Sequence, residues 1–246
     1  MRRRFFVDEV RNGQARLAGD DAKHLTKVLR VEVGQRYEIS DNRNVFLAEV
    51  ATAHKGEVEF RTLEKLPVEP PNVRITLCAA LIKFDHFEWM IEKATELGVA
   101  EIVPVIATRT ERGLDRAAEK RIERWRRIVL EASQQSRRAV LPEVADAIHF
   151  SKVLNQPGHR FVLDEEPGGP SLLAALPAAR TAEDSVALLV GPEGGWTDAE
   201  RSAFVAAQWT RVTMGPLILR AETAAMAALS VVNCAFLEQR AGTLKN

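Results

Sequence analysis

Apolar positions follow two different regimes along the chain. Up to about residue 66 they recur in short alternating stretches, at 14–17, 35–40, 45–50 and 57–62. Alternation with period two marks strands that bury one face. Turn-forming residues separate the stretches: Asn12-Gly13, Gly19-Asp20-Asp21, Asp41-Asn42 and Lys55-Gly56. One short helix fits residues 22–29. Closely spaced strands with tight turns predict a small β-barrel. Pro67, Pro70 and Pro71 then stiffen the chain, which predicts one domain over 1–68 and a second over 72–246.

Beyond the prolines, strand and helix patterns alternate. Residues 73–81 form an unbroken apolar run, as expected of a strand buried on both faces. A helix is predicted over 85–97, with Asp85 as cap, Glu88 three residues on and Gly98 as the stop. Residues 99–106 read as a strand. Residues 116–136 read as one long helix with Ile122, Trp125, Val129 and Ala132 on one face. Further strands fit 161–164, 185–190 and 211–214, and Thr197-x-x-Glu200 is a capping box. The last helix, 221–239, is apolar nearly all round and must be buried on several sides, in a core or against another subunit. Such alternation implies an α/β domain with a mainly parallel sheet and helices on both faces.

Composition adds little until it is localised. Formal net charge is zero, so the total makes no case for nucleic acid. Between Arg109 and Arg138, however, ten basic residues face five acidic ones, and residues 1–36 hold nine against five. Such regions fit a polyanion-binding face or an ordinary solvated helix surface. Cys78 and Cys234 both sit in apolar runs, which predicts buried core thiols and a reducing compartment. Phe5-Phe6-Val7 runs at once into Asp8-Glu9, which leaves no apolar signal region. The tract 224–237 is interrupted by Ser230 and Asn233 and reads as too short for a membrane span. The expectation is a soluble cytoplasmic protein.

Two strand–loop–helix junctions carry the candidate chemistry: Leu188-Leu189-Val190-Gly191-Pro192-Glu193-Gly194-Gly195-Trp196-Thr197 and Met214-Gly215-Pro216-Leu217-Ile218-Leu219-Arg220-Ala221-Glu222-Thr223. Trp196-Thr197 is no substitute for the Lys-Ser/Thr pair of a phosphate loop, and the glycine spacing is wrong for a dinucleotide fingerprint. The five histidines are scattered, no metal-ligand spacing occurs, and a Gly-x-Ser-x-Gly elbow is absent. What remains is an apolar, backbone-lined loop pair with Glu193, Arg220 and Glu222. It suits a cationic or zwitterionic cofactor carrying a flat heterocycle. Two tight turns without a ligand, with Glu222 merely favouring a helix dipole, would share the pattern.

The chain resembles the RsmE family, SPOUT-superfamily methyltransferases that methylate N3 of a uridine in 16S ribosomal RNA. The resemblance rests on Arg4-Phe5-Phe6, His24-Leu25-Thr26-Lys27-Val28-Leu29-Arg30, Lys83, Lys93-Ala94-Thr95-Glu96-Leu97-Gly98-Val99, Pro104 and Arg109. It continues through Arg124-Trp125, Glu131-Ala132-Ser133-Gln134-Gln135-Ser136-Arg137-Arg138, Pro142 and both loops. Trp196 and Met214 are small departures from the usual residues. The resemblance implies a PUA-like RNA-binding barrel, a SPOUT domain whose tail forms a deep trefoil knot, and a homodimer. It implies S-adenosylmethionine bound among three loops: Leu163, Asp164 and Glu165; Val190, Gly191, Pro192, Glu193 and Gly194; and Met214, Gly215, Leu217, Ile218 and Leu219. Arg220, Glu193 and Glu222 are then the candidate catalytic residues, with Arg220 stabilising a uracil anion. Lys27, Arg30, Lys83, Arg109, Arg137 and Arg138 are candidate contacts to 16S rRNA of the small ribosomal subunit. No metal is implied. A SPOUT enzyme acting on tRNA or ribose 2′-oxygen, or a non-catalytic RNA-binding assembly factor, would share much of this pattern.

Overall fold

The structure is a computed structural model that describes residues 4–54 and 56–243. The chain divides into two compact units, 1–69 with 130–141 and 70–129 with 142–246. The first unit is therefore not one contiguous segment.

That unit contains β1 (Arg4–Phe6), β2 (Val10–Arg11), β3 (Gln14–Ala18), α1 (Gly19–Lys27), β4 (Arg36–Ser40), β5 (Val45–His54) and β6 (Glu57–Leu66). The six strands form one sheet in the order β1-β4-β5-β6-β3-β2. β1 and β2 escape a reading by periodicity because two or three residues are too few to alternate. They end the sheet and do not pair with each other, so the ladders alone leave the expected barrel unclosed. Alternate residues Leu17, Val50, Val58 and Phe60 are buried with Phe5, Ile39 and Leu25 of α1. The segment 130–141 is fastened through Glu38, buried on β4, which accepts from Arg4 (2.7 Å) and from Arg137. Ser40 donates to the Ala139 carbonyl at 2.6 Å.

The second unit begins with β7 (Arg74–Ala80), α2 (Phe84–Glu96), β8 (Glu101–Ile106), α3 (Leu114–Glu119) and α4 (Ile122–Gln135), of which residues 130–135 belong to the first unit. It continues with β9 (Glu143–Val144), β10 (Ile148–His149), α5 (Phe150–Val153), β11 (His159–Leu163) and α6 (Leu172–Ala175). It ends with β12 (Ser185–Val190), α7 (Asp198–Ala206), β13 (Thr210–Val212) and α8 (Ala221–Thr243). Its ladders are all parallel, in the order β10-β8-β7-β12-β11-β13, with β9 also on β8. Ile75, Leu77 and Ala79 of β7 join one core; Cys78 and Ala80 join another on the opposite face. Two covered faces explain the unbroken apolar runs of β7 and β12.

Several local expectations need correction. The long helix breaks between α3 and α4: Lys120 and Arg121 make tightened bonds back to Ala117 and Ala118, and the Arg121 guanidinium turns to Glu88. Asp85 does not cap α2, because the helix already starts at Phe84 after Lys83, which makes no side-chain cap bond. Glu88 is taken by Arg121 and Arg124 instead of closing a capping box. Cys78 is buried but Cys234 is exposed, since it lies on the outer side of α8. α8 is long and apolar enough over Ala221–Glu238 to pass as a span, contrary to the sequence estimate, yet half that window is buried inside the protein. It packs on α2, β7 and β12, with Asn233 donating to the Leu97 carbonyl at 2.7 Å.

Candidate active site

Parallel pairing puts the carboxyl ends of β7, β12, β11 and β13 side by side at one end of the sheet. Ligands in open α/β sheets collect at such ends because the connecting loops converge there. Here the turn after β7 and the loops after β11, β12 and β13 enclose a cleft of about 540 Å³. Leu163, Asp164 and Glu165 enter from β11, and Val190, Gly191, Pro192 and Glu193 from β12. Met214, Gly215, Leu217, Ile218 and Leu219 follow β13, with Arg220 and Glu222 beside them at the start of α8. Of the proposed cofactor residues only Gly194 stays off the wall.

The loops are braced before any ligand is considered. Thr197 and Glu200 make the expected capping box on α7, and Glu200 also accepts the Thr108 N–H at 2.8 Å. Burial pushes the Glu200 carboxyl up, but hydrogen bonds from Thr108 and Thr197 outweigh it and hold it below the usual carboxylate value. The Trp196 ring is buried, and its Nε1–H donates to the Leu163 carbonyl at 3.1 Å, tying two cleft loops together. A Cβ on Gly191 would sit 3.0 Å from that ring. Gly195, at φ +68°, occupies the left-handed region, and a Cβ there would meet Glu165 Oε1 at 2.3 Å.

On the cleft wall, the Asp164 carboxylate is 1 % exposed and accepts from Arg201 (3.1 Å twice) and Arg211 (2.9 Å). Asp164 is thereby committed to holding its own loop. Glu193 and Arg220 are exposed, and neither makes a salt bridge among the described residues. Glu222 is buried, and its Oε1 lies 3.1 Å from Nδ1 of His86, near the start of α2.

Models of known domains match this chain over most of its length. An RNA methyltransferase domain matches residues 69–233, and an RNA methyltransferase PUA domain matches residues 17–63. Ribosomal RNA small subunit methyltransferase E of Synechocystis is 34% identical over 224 residues, covering 85% of this chain and 69% of that protein. The protein of the same name from Bacillus subtilis is 31% identical, covering 88% of each. The chain belongs to the RsmE family.

This RsmE-family chain also superposes on the crystal structure of a ribosomal RNA small subunit methyltransferase E from Neisseria gonorrhoeae bound to S-adenosyl methionine. The TM-score is 0.85 at 28% identity, covering 95% of this chain and 98% of that one. Among the basic residues that the RsmE resemblance marks for RNA, Lys83 lines the cleft, and Lys27 and Arg30 are exposed at the end of α1. Arg109 instead donates to the carbonyls of Gly194 (2.7 Å) and Trp196 (3.3 Å). Arg137 is bound to Glu38, and burial lowers Arg138 to about 10, with its Nε donating to the Val140 carbonyl. Sequence reasoning missed His86, Arg201 and Arg211, because each acquires its partner only when distant strands pair.

Proposed function

We propose that this chain transfers a methyl group from S-adenosylmethionine to N3 of a uridine in 16S rRNA of the small ribosomal subunit. The observation that carries the reading is the single cleft made by the carboxyl ends of four parallel strands. Its volume falls within the usual range for small-molecule sites, about 300–1,000 Å³. Leu217 and Ile218 stand 78% and 80% exposed on one of its loops, as a wall for a flat heterocycle would. Glu165 and Glu193 suit a cationic ligand. The relative from Neisseria gonorrhoeae, seen with S-adenosyl methionine, supports the assignment of the ligand.

When bound, S-adenosylmethionine supplies an electrophilic methyl group attached to a sulfonium. Arg220 projects from the last loop residue before α8 and donates to the uracil carbonyl oxygens, where negative charge gathers as N3 loses its proton. Glu193, on the facing loop, orients the guanidinium or the ring, and Glu222 completes the acidic side of the site. Leu163, Val190, Met214 and Leu219 give the cofactor apolar contacts, while backbone groups of Gly191 and Gly215 read its polar edges. Lys27, Arg30, Lys83, Arg137 and Arg138 contribute positive charge towards the RNA; Arg109 acts first on the loop carbonyls.

The same reading includes residues 1–68 as the RNA-gripping domain, 72–246 as the methyltransferase domain, and a cytoplasmic homodimer. An α8 that is apolar nearly all round yet half buried, with Leu237 exposed, supports a second copy against it. The deep trefoil knot also belongs to it. The chain leaves β13 at the sheet edge and returns as α8 to pack on β7 and β12, as a threaded tail would.

Nucleoside mass spectrometry tests the reaction. Unmodified small subunits and bulk tRNA are each incubated with the protein and methyl-labelled S-adenosylmethionine. The expected product is 3-methyluridine in 16S rRNA at up to one per subunit. Label in tRNA or on ribose 2′-oxygen would replace this substrate with another, and an absence of label would remove the activity.

A further inference from the structure

N3 of a neutral uracil carries a proton that must leave before its lone pair can accept a methyl group. An ordinary carboxylate, with a pKa of roughly 4.3, is poorly matched to so weak an acid. Imidazole is the side chain whose ordinary titration lies near neutrality, and among the described residues the cleft wall holds one, His86.

The surroundings of His86 define its chemistry. Its Nδ1 faces the buried Glu222 carboxylate at 3.1 Å, across from the first turn of α8. A carboxylate beside Nδ1 favours the tautomer with its hydrogen there, which leaves the lone pair on Nε2. Nε2 lies 3.8 Å from the exposed Asp85 carboxylate, beyond hydrogen-bond reach. The imidazole is 36% exposed and lines the cleft. The other charged groups on the wall are Lys83, Asp164, Glu165, Glu193 and Arg220, either cations without a lone pair or carboxylates. A histidine backed by a buried carboxylate can serve as a general base held in one tautomer.

Building on the methyltransferase reading above, we propose that His86 is the general base for the target uridine and Glu222 its positioning residue. The N3 proton passes to Nε2, and the freed N3 electron pair forms the bond to the methyl carbon. The carbon–sulfur bond breaks with its electrons remaining on sulfur, which becomes a neutral thioether. His86 then returns its proton to water.

The test uses the full chain and small-subunit RNA. His86→Gln should lower single-turnover methyl transfer by about 10²–10⁴-fold and flatten the acid limb of the pH–rate profile. Calorimetric affinity for S-adenosylmethionine should stay within about threefold, because the imidazole is assigned to the base and not to the cofactor. Nitrogen-15 NMR of the ligand-free protein should show the hydrogen on Nδ1, retained in Glu222→Gln and lost as a preference in Glu222→Leu. An active wild type with an unaffected His86→Gln rate and profile would overturn this proposal alone. A wild-type imidazole protonated on Nε2 would also overturn it. A wild type that methylates no RNA would take down the underlying reading and this proposal with it.

Discussion

Arg220→Ala is expected to lose about 10²–10³-fold in methyl transfer, the usual cost of removing one charge-stabilising donor from a transition state. Cofactor affinity should stay within about threefold of wild type. The size follows from what Arg220 does not do. Its side chain is exposed and makes no salt bridge among the described residues, so no structural partner is left behind when it is cut back. Its backbone carbonyl, which accepts the Ala224 N–H at 2.8 Å, survives the substitution. Stability should therefore change by no more than about 0.5 kcal/mol, as for other exposed positions. Arg220→Lys should recover little, because a point ammonium cannot reproduce a planar two-pronged donor. Single-turnover rates with calorimetry of the same preparations check both halves; near-normal turnover would discard the role.

Asp164→Asn should cause the largest loss of stability. The wild-type carboxylate is buried against two guanidinium groups, and Asn keeps the volume while removing their one buried counter-charge and leaving them the more exposed Glu166. Breaking a buried pair from one side costs about 3–5 kcal/mol. For a chain of this size that corresponds to a melting temperature lower by roughly 6–20 °C. The pH dependence has a definite sign. Burial pushes the Asp164 carboxyl up, but the Arg201 hydrogen bonds, the Glu166 N–H and the charges of Arg201 and Arg211 outweigh it and hold it below the ordinary 3.8. A value lowered on folding means the stabilisation is fully present above the unfolded value and is lost as pH falls towards the folded one. Wild type should therefore melt progressively earlier below about pH 5, and the Asn variant should show a shallower slope. Asp41 and Glu200, also held low, keep that slope from vanishing. Thermal melts between pH 3 and 7 measure it, and parallel slopes would contradict the assignment.

Legibility in the sequence followed the range of the interaction. The Thr197–Glu200 capping box and the stop at Gly98 are local, and both stand in the structure where their spacing puts them. The buried runs of β7 and β12 were readable because two covered faces leave no polar alternation. Pairing across the sheet was not readable. His86 meets Glu222, and Asp164 meets Arg211, only because β7, β12, β11 and β13 lie in that neighbour order, which no spacing encodes. The same limit made Arg109 and Arg137 look like free cations, when loop carbonyls and Glu38 engage them. The break before α4 was hidden because the apolar stripe of Ile122, Trp125 and Val129 holds whether or not the helix extends upstream.

The most direct test is a calorimetric titration of S-adenosylmethionine into the full chain and into a Leu217→Ser/Ile218→Ser variant. Both side chains are exposed, so the variant should fold normally yet lose the apolar contact that binding would create. Burying one such side chain is worth about 1.5–3 kcal/mol, which predicts one site per wild-type chain and at least a roughly tenfold weaker one in the variant. A wild type that takes up no S-adenosylmethionine, or a variant that binds it equally well, would contradict the placement of the cofactor at these strand ends.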